Sequence, residues 1–169
     1  MRQLQHSWSQ LLLLLLSLVA AAIAIYLTTV HYENAPLLCS TSGLIDCSRV
    51  LSSPYSVVPG TSIPITVPGL AWSLVSAVLA VAGLRQPQPQ ALRRIHLAQF
   101  TWSLLALLFV LYLVYLELVV LHTICAWCTG MHAVILIMFL ITIVQLQQGQ
   151  EEVEAYRDES VPDRVSMRR

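Results

Sequence analysis

Long apolar stretches constrain this chain more than any other feature of its sequence. The first reads LLLLLLSLVAAAIAIYLTTV and lies at about residues 10–30. At about 1.5 Å per residue, a helix of this length crosses the ~30 Å hydrocarbon core of a bilayer. Further apolar stretches lie at about residues 69–84, 95–116 and 123–146. The sequence therefore predicts an all-α, polytopic membrane protein built as a four-helix bundle.

The overall composition agrees with a membrane protein. Apolar residues make up 57% of the chain and charged residues 11%, whereas soluble domains have roughly 45–50% and about 25%. All nine basic residues are arginines, and nine acidic residues balance them. No broad basic surface is therefore expected, and the composition argues against nucleic-acid binding.

The first stretch also has a second interpretation, as a cleaved signal peptide. Arg2 resembles the basic start of a signal peptide, and the alanines at 20–22 resemble the small residues at its cleavage site. The apolar stretch continues to Val30, however, well beyond a typical cleavage site. We therefore favour a first span that is retained.

Residues 31–68 form a long loop between the first two spans. The loop contains two cysteines, several serines and the helix breakers Pro54, Pro59 and Pro64. A connection of this length is uncommon unless it has a function. Its segment IDCSRVLSS predicts a short helix on the membrane surface, with Val50 and Leu51 toward the apolar side.

The distribution of arginine predicts the orientation in the membrane. With four spans, Arg49 alone lies on the side of the long loop, and the other eight arginines lie on the opposite side. Arginine and lysine are in excess in cytoplasmic loops. We therefore expect both termini in the cytoplasm and an extracytoplasmic cysteine loop. Residues 1–146 would form the membrane domain, and the polar residues 147–169 a flexible cytoplasmic tail.

Four cysteines are predicted to meet at the outer end of the bundle. Cys125 and Cys128 form a CxxC at the start of the fourth span, on the same side as Cys39 and Cys47 of the loop. A helix start offers unpaired N–H groups that favour the nucleophilic thiolate. The spacing lets the two sulfurs bond to each other. This pattern indicates a redox-active pair.

Four cysteines in this pattern also have possible roles other than redox chemistry. A c-type haem site requires histidine after the second cysteine, but Thr129 stands there. A zinc site is disfavoured because Cys39 and Cys47 lack the close spacing of a zinc knuckle, so no metal is expected. Two structural disulfides that tie the loop to a helix remain an open alternative. The chain would then be a disulfide-stapled membrane scaffold without redox turnover.

Two segments resemble the vitamin K epoxide reductase family, CSTSGLIDCSRVLSSPYS and TICAWCTGMH. That family pairs two loop cysteines that have seven residues between them, the second followed by Ser and Arg, with a CxxC on the last core helix. Cys39 and Cys47 have this separation, and Ser48 and Arg49 follow. The resemblance covers about residues 10–146. Bacterial members often carry a fused thioredoxin-like domain, and this sequence departs from them in having none, so we expect a bacterial-type stand-alone member.

The resemblance also implies a function, a partner and an electron acceptor. Family members relay electrons from protein thiols to a membrane quinone, here ubiquinone or menaquinone. Cys128 would lie nearest the quinone, Cys125 would exchange with Cys47, and Cys39 would meet the outside protein. That protein would be a separate periplasmic thioredoxin-like partner of the DsbA type. The expected location is the inner (plasma) membrane.

Four further residues are candidates for binding the quinone. Ser53 matches a serine that the family places near its quinone pocket, and His132 stands where animal members carry a tyrosine that contacts the ring. Trp72 and Trp127 are candidates for lining the cavity. The stretch ITVP before Gly69 lacks the pocket asparagine of the animal enzymes, which disfavours vitamin K epoxide as a substrate.

One acidic residue lies close to the predicted site. Glu117 stands near the turn between the third and fourth spans. It could pass protons, but we interpret it as an exposed charge at the membrane interface.

Overall fold

The computed structural model describes most of the chain as helix. Its backbone is described at residues 2–33, 37, 39, 43–86 and 88–160, and its side chains at the same residues except 2–6, 89 and 151–160. The helices are α1 (Arg2–Glu33), α2 (Cys47–Leu51), α3 (Thr66–Arg85), α4 (Pro89–Tyr115) and α5 (Ala126–Ser160). A 3-10 turn at Pro54–Ser56 follows α2, and a π-helical turn at Leu116–Val120 extends α4.

Four of these helices are long and apolar enough to cross a membrane. The candidate spans are Ser7–Glu33, Thr66–Arg85, Gln90–Val120 and Ala126–Gln150. Within the described residues the chain forms no β-strand, only two isolated bridges. The predicted all-α, four-span architecture is therefore confirmed.

The last helix continues beyond the predicted end of the fourth span. Helix α5 extends to Ser160 and so enters the region 147–169, which the sequence predicted to be a flexible tail. Residues 161–169 of that tail lie outside the described residues.

The four long helices form a closed ring in which α1 and α4 each pack against α3 and α5. Small residues line the contact between α1 and α3. Ala20 and Ala24 of α1 are buried, as are Ala80 and Gly83 of α3. A Cβ atom at Gly83 would lie 2.7 Å from the side-chain amide of Gln10. Small residues let helix backbones approach closely where no hydrophobic effect drives the helices together in lipid.

Buried polar side chains link the helices at the end of the bundle opposite to the cysteines. Gln10 of α1 and Gln99 of α4 exchange two amide hydrogen bonds, at 3.2 and 2.9 Å. The Gln145 amide of α5 donates to the Ser9 hydroxyl at 3.0 Å. Because a buried amide without a partner is costly, these pairs fix how the helices align along their axes.

The reciprocal amide pair gives a test of this packing. We expect Gln10→Leu and Gln99→Leu each to lower the free energy of unfolding by roughly 1–2 kcal/mol, because each leaves one buried amide unpaired. The double variant should cost less than the sum of the two by about 0.6 kcal/mol or more. Unfolding in a detergent titration measures these values. Gln147→Leu, at an exposed position of α5, is the control. If the free-energy changes of the two single variants simply added in the double variant, the coupling between Gln10 and Gln99 would be contradicted.

Candidate active site

The cysteine loop is joined directly to the start of α5. Ile45 and Ile124 form a parallel β-bridge. The Asp46 N–H donates to the Ile124 carbonyl at 3.1 Å, and the Ile124 N–H donates to the Leu44 carbonyl at 2.8 Å. Paired strands lie about 4.8 Å apart, so Cys47 and Cys125, the residues that follow this pairing, lie in the same region. Both are 0% exposed.

Helix α2 holds Cys47 in position as its first residue. The Asp46 carboxylate caps the helix by accepting the Arg49 N–H at 3.1 Å, and it also accepts the Ser48 hydroxyl at 2.6 Å. These hydrogen bonds, the one from Ser48 foremost, lower the pKa of Asp46 below its ordinary value. A helix of five residues is not stable alone, so this cap and the pairing with Ile124 define its place.

The two cysteine pairs are in different redox states. Cys39 and Cys47 form a disulfide, whereas Cys125 and Cys128 are free thiols. The Cys128 N–H donates to the Cys125 sulfur at 3.3 Å. The hydrogen bond from the Cys128 side chain lowers the pKa of the Cys125 thiol, although burial acts in the opposite direction. Cys125 is therefore the thiol of this pair that ionises more readily.

A cleft lies beside Cys128 and includes about 570 Å³ of space, counting its open mouth. The lining comes from α1, the loop, α3, α4 and α5. It is formed by Leu27, His31, Val50, Leu51, Ser53, Tyr55, Ser56, Pro64, Ile65, Thr66, Leu113, Leu116, Glu117, Leu121 and Cys128. The lining is mainly apolar and carries a few hydroxyl groups.

Of the four residues predicted to bind the quinone, Ser53 lines this cleft. Its hydroxyl donates to the Val50 carbonyl at 2.7 Å, which leaves the oxygen able to accept a hydrogen bond. The assignment of Ser53 to the quinone site stays a prediction.

The other three candidates are not among the described residues that line the cleft. The ring of Trp127 packs against Tyr26, with the ring centroids 4.9 Å apart. The indoles of Trp72 and Trp102 each donate to the other residue's backbone carbonyl at 3.3 Å. His132 is partly buried on α5. Their roles in binding a quinone also stay predictions.

Glu117 is the residue that the sequence analysis misjudged. Its interpretation as an exposed charge is wrong, because Glu117 is 6% exposed and lines the same cleft as Cys128. The π-helical turn creates this position, with the Leu121 N–H donating to the Leu116 carbonyl at 2.9 Å. The available signal was a single acidic residue in the apolar run LYLVYLELVV, since ionisable residues inside spans are costly and commonly functional.

Comparison with known proteins agrees with this geometry. The family model described as the vitamin K epoxide reductase family matches residues 11–143. The chain belongs to this family. A search of curated proteins found no match. Family membership and the four spanning helices make the chain a multi-pass membrane oxidoreductase, and the family acts in disulfide and quinone redox chemistry. The resemblance seen in the sequence is confirmed.

The interaction between the two free thiols predicts that Cys128 lowers the pKa of Cys125. In protein whose Cys39–Cys47 disulfide is intact, Cys128→Ala should raise the pKa of Cys125 toward the ordinary value of a buried thiol, because the lost hydrogen bond stabilises the thiolate. Ultraviolet thiolate absorbance against pH measures the midpoint. Thr129→Ala, which keeps both sulfurs, is the control. An unchanged midpoint in Cys128→Ala would show that Cys128 does not influence Cys125.

Proposed function

We propose that the chain couples disulfide formation in a separate thioredoxin-like protein to reduction of a membrane quinone. A reduced partner attacks the Cys39–Cys47 disulfide and leaves oxidised. The Cys39 and Cys47 thiols then reduce a disulfide between Cys125 and Cys128. The Cys125–Cys128 dithiol finally passes two electrons and two protons to the quinone, which restores the inner disulfide. In each step one dithiol is oxidised to a disulfide, and either another disulfide is reduced to a dithiol or the quinone is reduced to a hydroquinone.

The pairing of Ile45 with Ile124 is the observation that best supports the exchange between the two cysteine pairs. Thiol–disulfide exchange requires the attacking sulfur to reach the disulfide directly. The hydrogen bonds of Asp46 and Leu44 with Ile124 hold the segments that carry Cys47 and Cys125 side by side. Cys39 is less buried than Cys47, so it is the member of the loop pair that we assign to the outside partner.

The cleft supports Cys128 as the residue that faces the quinone. Cys128 lines the cleft, whereas Cys125 is not among its described lining residues. When bound, a quinone supplies an acceptor for two electrons and two protons. The chain's own residues would hold it: apolar side chains such as Leu113 and Ile65 pack on a ring, and the Ser53 hydroxyl offers hydrogen bonding. Either ubiquinone or menaquinone would satisfy this chemistry.

The charge distribution supports the proposed orientation. Arg85, Arg93 and Arg94 are exposed near the ends of α3 and α4, at the end of the bundle where Ser9 contacts Gln145. We assign this end to the cytoplasm. The cysteine loop then faces the extracytoplasmic side of the inner membrane, where disulfides persist. Residues 1–146 would form the redox domain and residues 147–169 a cytoplasmic extension.

Turnover of purified protein tests the proposed function. With a reduced DsbA-type protein and ubiquinone or menaquinone, we expect the quinone absorbance to fall as the partner becomes oxidised. Cys125→Ser and Cys128→Ser should each abolish this reaction, because either change removes the inner disulfide. Ser52→Ala, an exposed loop position, is the control. Cysteines that stay oxidised with a reduced partner present would instead support the disulfide-stapled scaffold.

The route of exchange has its own test. The double variant Cys39→Ser/Cys128→Ser retains Cys47 and Cys125, and mild oxidation should join these two sulfurs in most molecules. The matched variant Cys47→Ser/Cys128→Ser retains Cys39 and Cys125 and should form far less of the bond. Mass spectrometry of the digested protein measures both yields. Equal yields, or no bond between Cys47 and Cys125, would contradict the proposed order.

A further inference from the structure

Glu117 is a buried carboxylate that the relay described above does not use. It is 6% exposed and lines the cleft together with Cys128. Its carboxylate lies close enough to the Cys125 backbone N–H and to the Cys128 thiol to interact electrostatically with both. One acidic side chain thus lies beside both residues of the CxxC.

The cost of this arrangement argues for a chemical role. A carboxylate removed from water near the end of a membrane span is unfavourable unless it is well compensated. A glutamine could accept the Cys125 N–H without that cost. The chain also interrupts α4 with a π-helical turn at Leu116–Val120, the turn that contains Glu117. Single π-helical turns are frequent at functional sites.

Oxidation of a dithiol releases protons that need an acceptor. Converting the Cys125 and Cys128 thiols to a disulfide releases two electrons and two protons, and conversion of a quinone to a hydroquinone consumes the same number. The sulfur that reacts does so as a thiolate. The Cys128 thiol therefore has to lose its proton next to the cleft, whose lining is mainly apolar.

We propose that Glu117 is the catalytic base of the quinone-reducing step, accepting the proton of the Cys128 thiol and passing it on to the reduced quinone. This inference rests on the function proposed above. The Cys125–Cys128 bond forms, the two S–H bonds break, and the electron pair leaves with the quinone. Glu117 carries the Cys128 proton to the quinone and returns to its carboxylate form after each turnover. The Cys125 thiol releases the second proton to solvent, and the quinone takes up its second proton from solvent.

The surroundings of Glu117 favour it over other groups in the cleft. The remaining titratable groups that line the cleft are His31 of α1, Tyr55 of the 3-10 turn and Cys128 of α5. Glu117 is the carboxylate among the titratable groups of the cleft, and it interacts with the Cys128 thiol. A general base acts within hydrogen-bonding distance of the proton that it removes, or through one water, and the shared cleft places Glu117 near that proton.

A single-turnover experiment tests the role of Glu117. The full-length protein is reduced at all four cysteines, mixed with bilayer quinone, and followed by quinone absorbance. At neutral pH we expect Glu117→Gln to slow this step by about 10²–10⁴-fold, the usual contribution of a general base. The rate of the variant should rise about tenfold per pH unit, because hydroxide then removes the thiol proton. The wild-type rate should depend on pH much less.

Two comparisons separate this role from a structural one. Exchange between the reduced partner and the Cys39–Cys47 disulfide should be unchanged in Glu117→Gln, which shows that the fold is intact. Glu33→Gln changes an exposed glutamate at the end of α1 nearest to the cysteines. This control variant should match the wild type both in quinone reduction and in exchange with the partner. A Glu117→Gln variant with the wild-type rate and pH profile would overturn the role of Glu117. A wild-type protein that never reduces quinone would instead overturn the proposed function itself.

Discussion

The hydrogen-bonded pairing of residues 44–46 with Ile124 is the interaction on which the proposed site depends. Along the chain, the loop follows α1 and leads into α3, whereas the CxxC lies at the start of α5. The chain path alone therefore does not bring Cys47 to Cys125. Two backbone hydrogen bonds and one parallel bridge make that connection. Buried backbone groups need partners. The same bonds that satisfy Ile124 therefore also set the spacing of the two cysteine pairs.

Contacts at the end of the bundle away from the cysteines also affect the site, because they fix how the four long helices align along their axes. In lipid, apolar side chains gain little from facing each other, so close packing and hydrogen bonds hold spanning helices together. The small residues between α1 and α3 and the Gln10–Gln99 amide pair have this role. A shift of α1 along its axis would break the amide pair. It would also move His31 and Leu27 relative to the cleft that they line.

The sequence predicted the spans, the CxxC and the family because each depends on local pattern alone. Apolar length reveals a span, and a short motif reveals a thiol pair. Which way a side chain points depends on how each helix is rotated within the bundle, and apolar sequences carry little information about that rotation. The sequence therefore did not predict that the Trp72 indole donates to the Trp102 carbonyl or that the Trp127 ring packs against Tyr26. Glu117 was misjudged for the same reason, since the π-helical turn that buries it has no recognisable motif.

The burial of the cysteines also bears on the order of electron transfer in the proposed relay. Cys47 and Cys125 are both 0% exposed, and Cys128 faces the cleft. In the proposed relay, an outside thiol would therefore meet Cys39 rather than the buried Cys47, and a quinone in the cleft would meet Cys128. Exchange between Cys47 and Cys125 would take place between two residues that are not exposed to solvent. A soluble thiol would then reduce the quinone through the four sulfurs in sequence.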